Sequence, residues 1–247
     1  MTSSRRAASA LFLVLALFAT GASASVIIAG TRVVFPAAQG EVTVRLSNQG
    51  DRPALVEAWI DAGDAKSSPD TAHSPFLITP PLFRMNAHKD QSLRILFTSA
   101  ETPLASDRES LFWLNVLEIP PKPKNAAGKN LLQFAIRSRL KLFYRPANLK
   151  GDVRKAPETL TWTAVRDASG VALAVHNPSP YYITISEASL TLGGAPVKAA
   201  TGMVAPFGDL RLALKDAKAT PAAGTSVAFT TINDYGAGDH HTGTIAP

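Results

Sequence analysis

Apolar and polar residues alternate along most of this chain with a period of two, the pattern of strands that bury one face. The clearest run is NLLQFAIRSRLKLFYRP, Asn130 to Pro146. Leu132, Phe134, Ile136, Ser138, Leu140 and Leu142 share one face; Gln133, Ala135, Arg137, Arg139 and Lys141 share the other. The run is roughly twice the usual strand length of about 5–6 residues. At a sheet edge, so long a strand is a template for any unpaired chain. Upstream, VIIAGTRVVF, EVTVRLSN, ALVEAWID, FLITPP, SLRILFTS and SLFWLNVLEI read as further strands. Turn clusters at Asn48 to Asp51, Asp61 to Ser68, Asn86 to Asp90 and Thr102-Pro103 separate them. Seven short strands at this spacing predict an immunoglobulin-like β-sandwich.

The pattern breaks after Pro146, where Ala147 to Pro157 is polar and irregular. Alternation resumes in TLTWTAV, VALAVHN, YYITISEASLTL and VAFTTIND, which predicts a second all-β domain from about Gly151 to the C-terminus. Ala217 to Gly224 reads as a loop.

The first residues obey a different rule. A basic start (Arg5, Arg6), an apolar run from Leu11 to Phe18 and the small-residue pattern Ala22-Ser23-Ala24 form a secretory signal peptide, with cleavage expected after Ala24. The apolar run is shorter than the roughly 20 residues of a membrane span, so no stable membrane insertion is expected. The expected organisation is a signal peptide over 1–24, an N-terminal domain over 25–146, a linker over 147–150 and a C-terminal domain over 151–247.

Composition narrows the function classes. Without Arg5 and Arg6 the formal charge falls from +6 to +4, which is not the dense cationic footprint of a nucleic-acid binder. There is no cysteine, which excludes a disulfide scaffold and metal centres built on thiolates. His240-His241 is a poor chelate, because neighbours on a strand point to opposite faces, and reads as part of a solvated tail. His73, His88 and His176 are isolated, and neither a Gly-x-Ser-x-Gly elbow nor a phosphate loop is present. The chain does not read as an enzyme, and no catalytic residue, metal ligand or cofactor is assigned.

Five charged residues stand in apolar surroundings. Glu109, Arg145 and Asp234 lie in SDRESLFW, KLFYRP and TINDYG. They read either as surface charges or as a carboxylate–arginine–carboxylate network between the domains, since a planar guanidinium can bridge two carboxylates. Arg32 and Lys141 read either as solvent-facing positions of their strands or as a paired site for one carboxylate. Spacing leaves both choices open.

Several motifs in order carry a resemblance. They are TRVVFP (Thr31–Pro36), AWI (Ala58–Ile60), TPP (Thr79–Pro81), DRESLFWLNVLEIPP (Asp107–Pro121), KLFYRP (Lys141–Pro146), NPSPYYITI (Asn177–Ile185) and INDYG (Ile232–Gly236). With them the chain resembles the periplasmic pilus-assembly chaperones of the chaperone–usher pathway, the PapD-like family. The short connection Pro120 to Lys129 is similar to that of the short-loop subgroup. The resemblance implies two immunoglobulin-like domains in an L-shaped arrangement with an interdomain cleft. It implies that Arg32 and Lys141 anchor a pilin's C-terminal carboxylate and that Leu132, Phe134 and Ile136 enter the groove of an incomplete pilin by donor-strand complementation. Glu109, Arg145 and Asp234 match a network that holds the domain orientation. Leu55, Pro80 and Pro81 match part of a surface that meets the outer-membrane usher. Two departures stand out: Phe134 is bulkier than the aliphatic residue expected there, and the C-terminal domain lacks the cysteine pair of some relatives.

The implied partners are pilin subunits in one-to-one complexes and the usher. Transient self-association through the exposed strand is a further expectation. The competing reading is a secreted immunoglobulin-like adhesin or a pilus-associated structural module on the same scaffold. Tyr181-Tyr182 is the adhesin's candidate ligand cluster, though these rings also suit core and domain-interface packing.

Overall fold

The structure is a computed structural model that describes residues 25–98, 103–122, 130, 132–215, 217 and 219–247. The expected signal peptide, and most of the connection before the long strand, lie outside the described residues. The chain is almost entirely β, and its buried apolar side chains form two separate cores. Among the described residues, no helix is long and apolar enough to cross a membrane.

The first core lies between the sheets formed by β1 (Val26–Ile28), β2 (Arg32–Pro36), β3 (Glu41–Asn48), β4 (Ala54–Asp61), β5 (Phe76–Thr79), β6 (Leu82–Met85), β7 (Asp90–Phe97), β8 (Ser110–Ile119) and β9 (Ile136–Arg145). One sheet has the order β1-β3-β7-β5 and the other β2-β9-β8-β4-β6. Val44, Leu46, Leu93 and Ile95 from the first meet Val33, Phe35, Leu114 and Leu142 from the second. The segment read as one strand, VIIAGTRVVF, is two strands in different sheets. It changes sheet at Gly30, whose φ of +94° favours glycine. FLITPP likewise ends its strand at Thr79, and the chain crosses to the other sheet as β6.

The second core lies between a sheet of β10 (Thr161–Asp167), β11 (Gly170–His176) and β15 (Asp209–Ala213) and one built on β12 (Ile183–Leu192). β13 (Ala195–Lys198), β14 (Gly202–Val204) and β16 (Ser226–Ile232) pair with β12, and β17 (Gly238–Thr244) closes the edge beside β16. His240 and His241 therefore do not lie in a solvated tail. They pair with Thr230 and Phe229, and each ring is hydrogen-bonded to a threonine of β16. β17 (GDHHTGT) escapes a hydrophobic reading because an edge strand with little apolar surface to bury needs no alternation.

The long strand also differs from its expected extent. β9 begins at Ile136, whose partner Glu118 stands almost at the end of β8; Pro120 and Pro121 follow and offer no backbone N–H. Leu132 to Ala135 therefore lie outside the sheet, and Gln133 reaches back by a side-chain hydrogen bond of 2.6 Å to Pro120 O.

Candidate functional site

The two faces of β9 do different things. Leu140 and Leu142 enter the first core. By the same parity Ile136, Phe134 and Leu132 continue that inward face past the end of the sandwich, where nothing covers them among the described residues. They are 51%, 71% and 87% exposed. Such a row runs against the hydrophobic effect, since burying each side chain is worth roughly 1.5–3 kcal/mol.

The outer face carries a row of cations and one aromatic ring. Arg137 stacks over Trp59 at 4.8 Å and donates two hydrogen bonds to Asn115 Oδ1. Arg139 stacks over Trp113 at 4.2 Å and donates to buried Asp61. Burial opposes the charge on Asp61, but Arg139, Asn115 and the Gly63 N–H outweigh it and hold the carboxyl below its ordinary value. These contacts pin the root of the exposed segment to β8 and β4. Phe143 packs 5.7 Å from Tyr182 of the second domain.

Lys141 and Arg32 come together through β2, which pairs with β9 in parallel. The two residues stand directly opposite in register, so their side chains leave the same face. Arg32 Nη1 donates to Ile232 O at 2.9 Å, and Lys141 Nζ donates to Thr184 Oγ1 at 3.3 Å. Neither forms an ion pair among the described residues, and Arg32 Nε is buried with no hydrogen-bond partner there. Burial, and then the charge of Arg32, pull the Lys141 ammonium below its ordinary value. Burial does the same to Arg32 against the opposite pull of Asp234 and Glu109. An anion placed between these two half-buried like charges would relieve their repulsion and could take the spare donor.

Glu109, Arg145 and Asp234 form one network across the domain boundary. Arg145 Nε donates to Glu109 Oε1 at 2.7 Å, while Nη1 and Nη2 donate to the two oxygens of Asp234 at 2.7 and 2.9 Å. The second Glu109 oxygen accepts the Tyr182 N–H at 2.7 Å. Burial opposes the Arg145 charge, but Asp234 and Glu109 outweigh it and raise the guanidinium above its ordinary value. Burial pushes the Glu109 carboxyl up, against the pull of Arg145 and the Tyr182 N–H.

Leu55, Pro80 and Pro81 lie apart from these groups. Leu55 and Pro81 are exposed and Pro80 is half-buried. Leu82 is a diagonal neighbour of Leu55 across the β4–β6 pair and extends the apolar surface. Sequence reasoning missed Leu82, Thr184 and Ile232. The motifs NPSPYYITI and INDYG contain the last two, but nothing in their spacing singles them out.

Residues 25–150 match the family described as "Pili and flagellar-assembly chaperone, PapD N-terminal domain". Residues 155–243 match "Pili assembly chaperone PapD, C-terminal domain". The chain is 46% identical to the chaperone protein FimB/FhaD of Bordetella pertussis over 90% of this chain and 88% of that one. Its fold is similar to the crystal structure of the YadV chaperone, with a TM-score of 0.77 and 37% identity over 90% of this chain and 100% of the other. It is also similar to a chain in the structure of the Salmonella enterica SafA pilin in complex with the SafB chaperone, with a TM-score of 0.72 and 30% identity over 92% and 99% of the two chains.

Proposed function

This chain belongs to the PapD-like family of pilus-assembly chaperones, which is not a family of enzymes, and from that premise we propose that it caps pilin subunits in the periplasm by donor-strand complementation and delivers them to an outer-membrane usher. The observation that carries this reading is the row Leu132, Phe134, Ile136, a core face continued beyond its own core. An incomplete sandwich has the complementary defect, with exposed apolar pockets and an unpaired edge.

The site also supports an orientation. β8 occupies one side of β9 from Ile136 to Tyr144, whereas β2 occupies the other only from Lys141 onward. The free edge before Lys141 has room for an incoming strand, which must end where β2 begins. Arg32 and Lys141 stand at that point. Two cations repel a terminal amine and attract a terminal carboxylate, so the incoming strand runs parallel to β9 and ends with its C-terminus. That anchor sets the register, and a one-residue slip would turn the apolar side chains away from the pockets. Glu109, Arg145 and Asp234 hold the second domain so that Thr184 and Ile232 complete the site. Leu55, Pro80 and Pro81 face the usher. Folding of the subunit and its later exchange at the usher supply the driving force.

Substitution of an exposed donor residue tests the reading. Ile136→Asp is expected to leave the circular dichroism and melting temperature of the free protein unchanged and to abolish recovery of a one-to-one pilin complex. It is also expected to lower any self-association seen by light scattering at high concentration. Full recovery of the pilin with this variant would sink the donor-strand reading.

A further inference from the structure

Tyr235 is the most exposed large apolar side chain among the described residues, at 91%, and it stands on a turn with little freedom to move. Asn233 Oδ1 accepts the N–H groups of Tyr235 and Ala237, each at 3.0 Å. Asn233 Nδ2 donates to Asp239, and the Asn233 N–H donates to Ala237 O at 2.9 Å. Before Tyr235, Asp234 is held by both terminal nitrogens of Arg145. After it, Gly236 has a φ of +85° and lies so close to Thr31 that a Cβ there would run into the threonine hydroxyl. Thr31 directly precedes Arg32. The backbone of the turn is thus fastened on both sides, and it carries an aromatic residue that lines the same cavity as Arg32.

The ring borders a cavity of about 300 Å³ between the two domains. Phe143, Tyr182, Ile183 and Ile232 contribute to its lining, together with Arg32 and Tyr235. The other charged residues that line it have partners: Glu109 and Asp234 share Arg145, Arg154 pairs with Asp152, and Asp239 accepts from the Asn233 amide. Arg32 forms no ion pair among the described residues, and its Nε is buried with no hydrogen-bond partner there. A negative charge brought by an occupant can take the spare Arg32 donor, and the ring-lined remainder can take a neutral side chain. A chain end brings both, with its carboxylate at the cations and its last side chains against the aromatic walls. An exposed tyrosine on a fastened turn suits such a role, because the ring offers a large contact area at small entropic cost.

We propose that the interdomain cavity is a side-chain subsite for the pilin's C-terminus, in which Tyr235 closes over an aromatic or branched aliphatic side chain of the last residues. The inference rests on the carboxylate-anchor reading of Arg32 and Lys141 and extends it from a charge site to a site with side-chain preference.

The test uses the full-length mature protein and a synthetic peptide carrying the C-terminal sequence of a pilin that co-purifies with it. Binding is measured for wild type, Tyr235→Ala, Tyr235→Phe and Arg32→Ala. Each is also measured with peptides in which the last residues are replaced singly by alanine. The expected result is about a tenfold or larger loss for Tyr235→Ala, the scale of a truncated aromatic anchor, and near-wild-type binding for Tyr235→Phe. One alanine peptide should bind Tyr235→Ala and wild type equally, which identifies the side chain under the ring. If Tyr235→Ala binds all peptides as wild type does while Arg32→Ala does not, the anchor stands and the subsite is wrong. If Arg32→Ala binds as wild type does, the anchor reading fails and the subsite falls with it. Tyr235 is exposed, so a melting temperature equal to wild type verifies that its variants fold.

Discussion

Arg32→Ala and Lys141→Ala are each expected to lose the pilin complex while the free protein remains folded. In the complex, a buried carboxylate would be left with one cation in place of two. Truncating one partner of a buried, hydrogen-bonded charge pair costs about 2–5 kcal/mol, or roughly thirty- to several-thousandfold in Kd. The free protein should respond differently. Burial and the neighbouring Arg32 already disfavour the charge on Lys141, so Lys141→Ala removes an unfavourable charge together with one 3.3 Å hydrogen bond to Thr184. Its stability is expected to stay within about 1 kcal/mol of wild type. Isothermal titration with a pilin C-terminal peptide, beside a denaturant melt of each variant, separates the two effects. Undiminished binding by both variants would return these residues to the status of surface charges.

Arg145→Ala is expected to have the largest effect on the free protein. Glu109 is buried and has its two oxygens on Arg145 and the Tyr182 N–H. Removing Arg145 strands that carboxylate and cuts Asp234 loose from the first domain. Breaking a buried pair in this way costs about 3–5 kcal/mol, read as a lowered midpoint in urea. The loss should depend on pH. Without Arg145, burial raises the Glu109 carboxyl further above its ordinary value of 4.5. A group whose folded value is raised contributes stability below its unfolded value and loses it as pH rises through the folded one. The deficit should therefore be smallest in acid and grow towards neutral pH. An Arg145→Ala variant as stable as wild type at pH 7 would show that the network does not hold the domains.

The β character of both domains was legible because strands that bury one face must alternate. The long strand showed both of its faces for the same reason. Its actual start was not legible, because a strand needs a partner and β8 runs out at Pro120. The strands missed in the second domain are β13, β14 and β17, which are short or rich in glycine and threonine, and β15, which alternates over Asp209 to Leu212 but is only five residues long. Residue type marked the cations and carboxylates as candidates, but only topology joins them. The Arg32–Lys141 juxtaposition depends on a parallel pairing between segments far apart in the chain, and the Arg145 network depends on how the second domain docks. Motif resemblance supplied what periodicity lacked there. It did not single out Tyr235, which has the spacing of an ordinary turn residue.

The free edge before Lys141 is expected to become a paired strand when a pilin binds, and hydrogen–deuterium exchange reads that change in the backbone itself. Exchange would be followed in the mature protein alone and in its pilin complex. Peptides spanning Leu132 to Leu140 are expected to gain strong protection in the complex, with smaller gains near Arg32 and Thr184. Peptides covering Leu55 and Pro81 should exchange as before. Protection confined to that second surface, with Leu132 to Leu140 exchanging as in the free protein, would contradict strand donation.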